Sequence, residues 1–142
     1  MTLPAKGRLL GLDYGSVRIG LAVCDPDRIL ASPHDTCTRQ NSDADALYFQ
    51  HVVRAEQIVG FVIGLPISLN DTEGPKAKET REFAAWLTSV VPLPVEFVDE
   101  RFTTSAAEDS LIAAGVRRDK RKGQRDRIAA VFILQAYLDS PG

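Results

Sequence analysis

Residues 9–25 read LLGLDYGSVRIGLAVCD, and the fold turns on what explains the carboxylate in the middle of that apolar run. Leu9, Leu10 and Leu12 precede Asp13, and Ile19, Leu21, Ala22 and Val23 follow it after Gly15-Ser16, giving two runs of strand-forming composition joined by turn residues. They read as antiparallel strands, Arg8 to Tyr14 and Arg18 to Cys24. Asp13 then stands at a strand end, where it is either a turn former or a ligand for a metal ion or a phosphate group.

Working outward, Pro26-Asp27 separates a third strand, Ile29 to Ser32, which completes an antiparallel meander. The polar TCTRQNSDAD (36–45) reads as a connection, and Ala44, Leu47, Tyr48, His51 and Ala55 then recur at helical spacing up to Ile58. IVGFVIGLP (58–66) is apolar throughout, as suits a central strand buried on both faces. After the loop ISLNDTEGPKAKET (67–80), Ala77, Thr80, Ala84 and Leu87 mark a helix that stops before Pro92. A strand VEFVDE (95–100), a helix TTSAAEDSLIAAG (103–115) ended by Gly115, a basic connection and a last helix DRIAAVFILQAYLDS (126–140) follow. Strands that alternate with helices run parallel through right-handed crossovers. The expected fold is α/β: a mixed five-stranded sheet, three meander strands plus two parallel ones, flanked by helices. With no repeat or dividing linker, residues 1–142 are expected to form one domain.

Seventeen Lys and Arg stand against nineteen Asp and Glu, so a nucleic-acid partner would have to be held by a local patch rather than by global charge. Cys24 and Cys37 lack metal-ligand spacing and suggest a reducing compartment. The N-terminal apolar stretch is short for a signal peptide and no segment approaches a membrane span, so a cytoplasmic protein is expected. His34 lies in the polar stretch and His51 near the apolar face of the first helix, and neither has a role assigned; Phe83, Trp86 and Tyr137 read as helix packing.

In sheets of this kind ligands bind beyond the carboxyl ends of the parallel strands, where Asp13, Gly64-Leu65-Pro66 and Asp99-Glu100 are found. Strand alternation lets one of Asp99 and Glu100 face the site. Asp126 heads a stripe of Ala129, Ala130, Ile133 and Tyr137, so a carboxylate lies on the sheet-facing side of the last helix, whose small residues permit a close approach. Asp126 could instead be a helix N-terminal residue favoured by the macrodipole. Converging carboxylates repel one another unless a hard cation separates them, which points to Mg²⁺ or Mn²⁺. Two such ions about 4 Å apart would suit phosphodiester hydrolysis. Just before Asp126, VRRDKRKGQRDR (116–127) carries Arg117, Arg118, Lys120, Arg121, Lys122, Arg125 and Arg127 against two aspartates, a patch able to hold a nucleic-acid backbone without reading sequence. That stretch is expected to be a mobile connection that orders on nucleic acid.

Together GLDYGSVRIGLAVCD, VIGLPISLNDTEGPKAKETREFA, VDERFTT and DRIAAVFILQAYLD resemble, in order and over nearly the whole chain, the YqgF family. These are RuvC-like proteins described as nucleases of pre-16S rRNA 5′-end maturation in ribosome biogenesis and formerly as Holliday-junction resolvases. The resemblance implies a ribonuclease H-like fold and a metal-dependent hydrolase, with Asp13, Glu100 and Asp126 as catalytic and metal-binding acids and Asp99 as the fallback for Glu100. Arg18, Lys76 and Arg101 join Arg117, Arg118, Lys120, Arg121, Lys122 and Arg125 as candidate nucleic-acid contacts. The expected partners are pre-rRNA or branched DNA, and a ribosomal component, acting on a monomer or homodimer. LDYGSVRIG is also similar to the first phosphate loop of actin-like and sugar-kinase ATPases, and an RNA-binding assembly factor with weak catalysis is a further reading.

Overall fold

The computed structural model describes residues 3–67, 72–99 and 118–140, and for 118–125 the backbone alone. Among the described residues, five strands and three helices occur in the order β1 (Arg8–Asp13), β2 (Arg18–Cys24), β3 (Ala31–Thr38), α1 (Ser42–Glu56), β4 (Ile58–Leu65), α2 (Pro75–Val90), β5 (Val95–Asp99) and α3 (Arg118–Asp139). The sheet order is β3-β2-β1-β4-β5, with β1–β2 and β2–β3 antiparallel and β1–β4 and β4–β5 parallel. This is the mixed sheet that the meander and the crossovers dictate. The helix expected over 103–115 lies outside the described residues. Among the described residues no helix is long and apolar enough to cross a membrane.

The central strands are apolar on both sides because each side meets helices. Leu10, Leu12, Phe61 and Ile63 pack with Phe49, Val52, Phe83 and Leu87 of α1 and α2. Leu9 and Val62 pack on the other side with Ala130, Ile133 and Leu134 of α3. Alternation along β1 therefore sends Leu9, Gly11 and Asp13 toward α3 and Leu10, Leu12 and the following Tyr14 toward α1 and α2. Helix ends are set locally: Asn41 caps α1 by accepting from the Ala44 amide at 2.9 Å, and Pro75 opens α2 at a position where its missing N–H costs nothing.

Three expectations are corrected. The third strand is Ala31–Thr38, not Ile29 to Ser32, so His34 lies in a strand, with Nδ1 3.4 Å from the Glu56 carboxylate. Ile29 and Leu30 are exposed turn residues because the Asp25 carboxylate accepts from both their amides, at 2.8 and 2.7 Å, and these donors hold its pKa below the usual value. An edge strand has one neighbour, so β3 tolerates polar residues, and Pro33 fits beside the register shift between Leu21 and Ala22. The second correction is to the phase of α1: Asp45, Phe49 and Val52 are buried, whereas Leu47 and His51 are exposed. The third is to α3, which is helical from Arg118, so Arg118, Lys120, Arg121, Lys122 and Arg125 belong to the helix and not to a connection.

Helix α3 lies unusually close to the sheet. A Cβ at Gly20 would stand 1.9 Å from the Asp126 carbonyl oxygen, and one at Gly11 would stand 2.7 Å from Leu134 Cβ. Backbone cannot rotate out of the way as a side chain can, so a methyl at Gly20 must displace the helix. Gly20→Ala is expected to destabilise the protein by about 3 kcal/mol, the upper range for overpacking, and urea denaturation followed by circular dichroism measures it.

Candidate functional site

The carboxyl ends of β1 and β4 and the third turn of α3 meet around one point. Asp13 is the last residue of β1 and pairs with Gly20 of β2. Directly paired residues of antiparallel strands project to the same face, and the Cβ direction of Gly20 runs into the backbone of Asp126. Asp13 and the backbone of Asp126 therefore both lie at Gly20, on the α3 side of the sheet. Asp126 stands two turns inside α3, so the macrodipole at the helix start does not account for it.

The Asp126 carboxylate is 15% exposed and its Oδ2 accepts from Arg18 Nε at 2.9 Å. Arg18, expected as a nucleic-acid contact, thus has its guanidinium on the candidate acid. Arg18, the first residue of β2, gives this partly buried carboxylate a charge-assisted hydrogen bond.

Asp99 pairs with Leu65 on the edge strand and shares the row of Val95 and Phe97, which pack toward α1 and α2; Val98 packs toward α3. Asp99 consequently falls on the face opposite Asp13. Glu100, Arg101 and Arg117 lie outside the described residues. Lys76 is exposed in the first turn of α2, and Arg118, Lys120, Arg121, Lys122 and Arg125 occupy the α3 turns preceding Asp126. Among the described residues no three His, Cys, Asp or Glu converge as a metal-holding group.

On the opposite face, at the same end of β1, a cleft of about 610 Å³ opens between the β1–β2 turn, the residues preceding α1, and α2. Arg39 forms its floor, 5.4 and 5.6 Å from the ring centroids of Tyr14 and Phe83, donating to Tyr14 Oη at 3.1 Å and lying 3.6 Å from buried Asp45. The sequence offers no sign of it, since residues 14, 39, 45, 83 and 86 share no motif and meet only on folding.

A family model described as "RuvX: Holliday junction resolvase" matches residues 7–140. The chain belongs to the RuvX family. A Rhodopirellula baltica relative named "Putative pre-16S rRNA nuclease" is 44% identical over 137 residues, 96% of this chain and 79% of the relative. A Syntrophomonas wolfei relative of the same name is 45% identical over 132 residues, 93% of this chain and 94% of that one. Among solved structures, T. thermophilus RuvC in complex with a Holliday junction substrate superposes with a TM-score of 0.58 at 11% identity, covering 94% of this chain and 96% of that one. The yeast mitochondrial Holliday junction resolvase Ydc2 gives 0.58 at 8% identity over 96% of this chain and 80% of its own. At such identities the likeness is one of fold, and the RuvX chain has the RuvC-like, ribonuclease H-like architecture.

The Arg18–Asp126 pair is testable in isolation. Without divalent metal, Arg18→Met leaves Asp126 without its donor and is expected to cost about 1–3 kcal/mol in urea denaturation. Arg18→Met combined with Asp126→Asn should recover most of that loss, which a double-mutant cycle reads directly.

Proposed function

We propose that this RuvX chain, acting as a single domain over residues 1–142, is a metal-dependent nuclease that hydrolyses phosphodiester bonds. Its proposed substrate is the 5′ end of pre-16S rRNA, in the cytoplasm. The observation that carries the reading is that Asp13 and the backbone of Asp126 both lie at Gly20, at the carboxyl end of β1. A turn-forming aspartate would need no second acidic residue placed at the same strand end, on the same side of the sheet, by a helix 113 residues further along the chain. The names of the relatives, and the fold shared with junction-cleaving RuvC, support the same chemistry.

The donor set suits a hard divalent cation, because carboxylate oxygens are the ligands that Mg²⁺ and Mn²⁺ prefer and two adjacent carboxylates repel unless a cation lies between them. Asp13 and Asp126 would hold the ions, with Glu100 as the third acid by motif; Asp99 lies on the wrong face to replace it. When bound, a pair of such ions supplies an activated water and stabilises the leaving oxygen. The chain's own residues do the rest. Arg18 fixes one oxygen of Asp126 and so orients that carboxylate before the cation arrives. Lys76, Arg101, Arg117 and the basic residues of α3's first turns hold the nucleic-acid backbone by charge, which confers affinity and salt dependence but no sequence preference. A ribosomal partner would add specificity, and a monomer suffices for trimming one strand. Branched DNA is the second reading, favoured by the description of the family model, and there a homodimer would match a two-fold junction.

End-labelled RNA carrying a pre-16S 5′ extension and a four-way DNA junction, each incubated with Mg²⁺ or Mn²⁺ and with EDTA, separate these readings. The expected result is metal-dependent cutting of the RNA, reduced on the order of 100-fold or more in Asp13→Asn and Asp126→Asn. Preferential cutting of the junction would name the second substrate. Variants that cut as well as the parent, or RNA bound and never cut, would leave an assembly factor in place of the enzyme.

A further inference from the structure

The cleft behind Tyr14 is not used by the carboxylate chemistry, although it borders the same strand end. Asp13 and Tyr14 are successive residues, so their side chains leave β1 on opposite faces at one edge, with Ser16 of the β1–β2 turn at the rim between them. A strand whose phosphate lies at Asp13 therefore has a neighbouring base within reach of the cleft. We propose that this cleft takes a single nucleobase of the substrate strand, with guanine preferred, stacked on the outer face of the Arg39 guanidinium with its donor edge toward Glu79 and Glu82. The inference rests on the nuclease reading above and names the nucleotide that the site prefers.

The cleft is built before any guest arrives. The Arg39 amide donates to the Val17 carbonyl at 2.9 Å, the Gln40 amide to Asp45 Oδ1 at 3.1 Å, and Trp86 Nε1 to Ser42 Oγ at 3.0 Å. The Arg39 guanidinium lies 5.4 and 5.6 Å from the ring centroids of Tyr14 and Phe83, which are themselves 4.9 Å apart, and its hydrogen bond to Tyr14 Oη holds it in place. With 28% of the side chain exposed, Arg39 offers a flat surface of the kind on which RNA-binding proteins stack bases.

Charge selects the guest. Asp45 offsets the Arg39 cation, so the acidic rim leaves the lining with an excess of negative charge. The exposed carboxylates of Glu79 and Glu82 at the rim repel a phosphate, and Asp45 is already engaged by Arg39 and the Gln40 amide. A planar group that donates hydrogen bonds fits both the Arg39 guanidinium and the acidic rim, and a base supplies one without the phosphate that the rim repels. Guanine carries N1–H and the N2 amino group side by side, which match a carboxylate, whereas adenine, cytosine and uracil each place an acceptor beside their donor.

Trp86 lines the cleft and is the chain's one tryptophan, so its fluorescence reports occupancy. The intact protein, in EDTA so that no strand is cut, is titrated with the pentaribonucleotides UUGUU, UUAUU and UUUUU, with ribose 5-phosphate and with arginine amide. The proposal expects quenching by UUGUU at about one tenth the concentration needed for UUAUU, and none by ribose 5-phosphate. Glu79→Ala/Glu82→Ala should abolish the difference between guanine and adenine while leaving the quenching itself. Arg39→Lys, which keeps the charge and loses the plane, should weaken the RNA response about tenfold; if its thermal melt shows misfolding, the glutamate variant, which alters exposed side chains alone, decides. Equal responses to the three RNAs, or a response to arginine amide in their place, overturn the proposal. Cutting with Mn²⁺ is read separately on the same protein, so a nuclease without base preference defeats this inference and leaves the proposed activity standing.

Discussion

The near-contact between the backbone of α3 and the backbone of β2 at Gly20 is the constraint on which the site depends. A helix resting on a sheet through ordinary side chains would hold Asp126 a side chain's length above β1. Here Gly11 and Gly20 remove the sheet's side chains beneath it, and Ala129 and Ala130, at 1% and 0% exposure, remove the helix's own bulk. Dense packing then makes the approach a fixed distance, because Ile133 and Leu134 fill the remaining space with no exposure to solvent. The hydrophobic core of α3 thereby fixes where the backbone of Asp126 lies over the sheet.

Arg18 gives that arrangement its local balance. It begins the strand that pairs with β1 and reaches the helix that covers it, so its guanidinium ties β2 to α3. Its role differs from that of the basic residues earlier in α3: it compensates a partly buried carboxylate, while they precede the site on the helix. The two kinds of cation look alike in a charge count and act on different partners.

The sheet separates two chemistries at one strand end. Toward α3 lie Asp13 and the backbone of Asp126; toward α1 and α2 lies an aromatic cleft lined by Arg39, with Glu79 and Glu82 at its rim. Because successive residues of a strand project oppositely, Asp13 and Tyr14 can serve both without either face compromising the other.

The fold was legible in the chain because its evidence is local: apolar runs bounded by turn residues, helical spacing, and helices placed between strands so that those strands must run parallel. Asp13 and Asp126 were legible too, since a carboxylate on an apolar stripe is visible in one dimension. Edge strand β3 was not, because a strand with one neighbour carries polar residues that read as loop. The phase of α1 was also misread, because Tyr48 and Leu47 are as apolar on paper as Phe49 and Val52. The alternation of residues 95–99 settled only in three dimensions which face Asp99 takes, and Arg18's partner and the Tyr14–Arg39–Trp86 cleft had no linear signature at all. Sequence by itself determined the order of strands and helices along the sheet and the position of Asp13 at the end of β1, since these follow from periodicity and chain connectivity. Tertiary structure alone decided which charges meet, because contacts between residues a hundred positions apart depend on how closely two surfaces pack, and that distance is set by glycines whose purpose appears only once the helix lies on them.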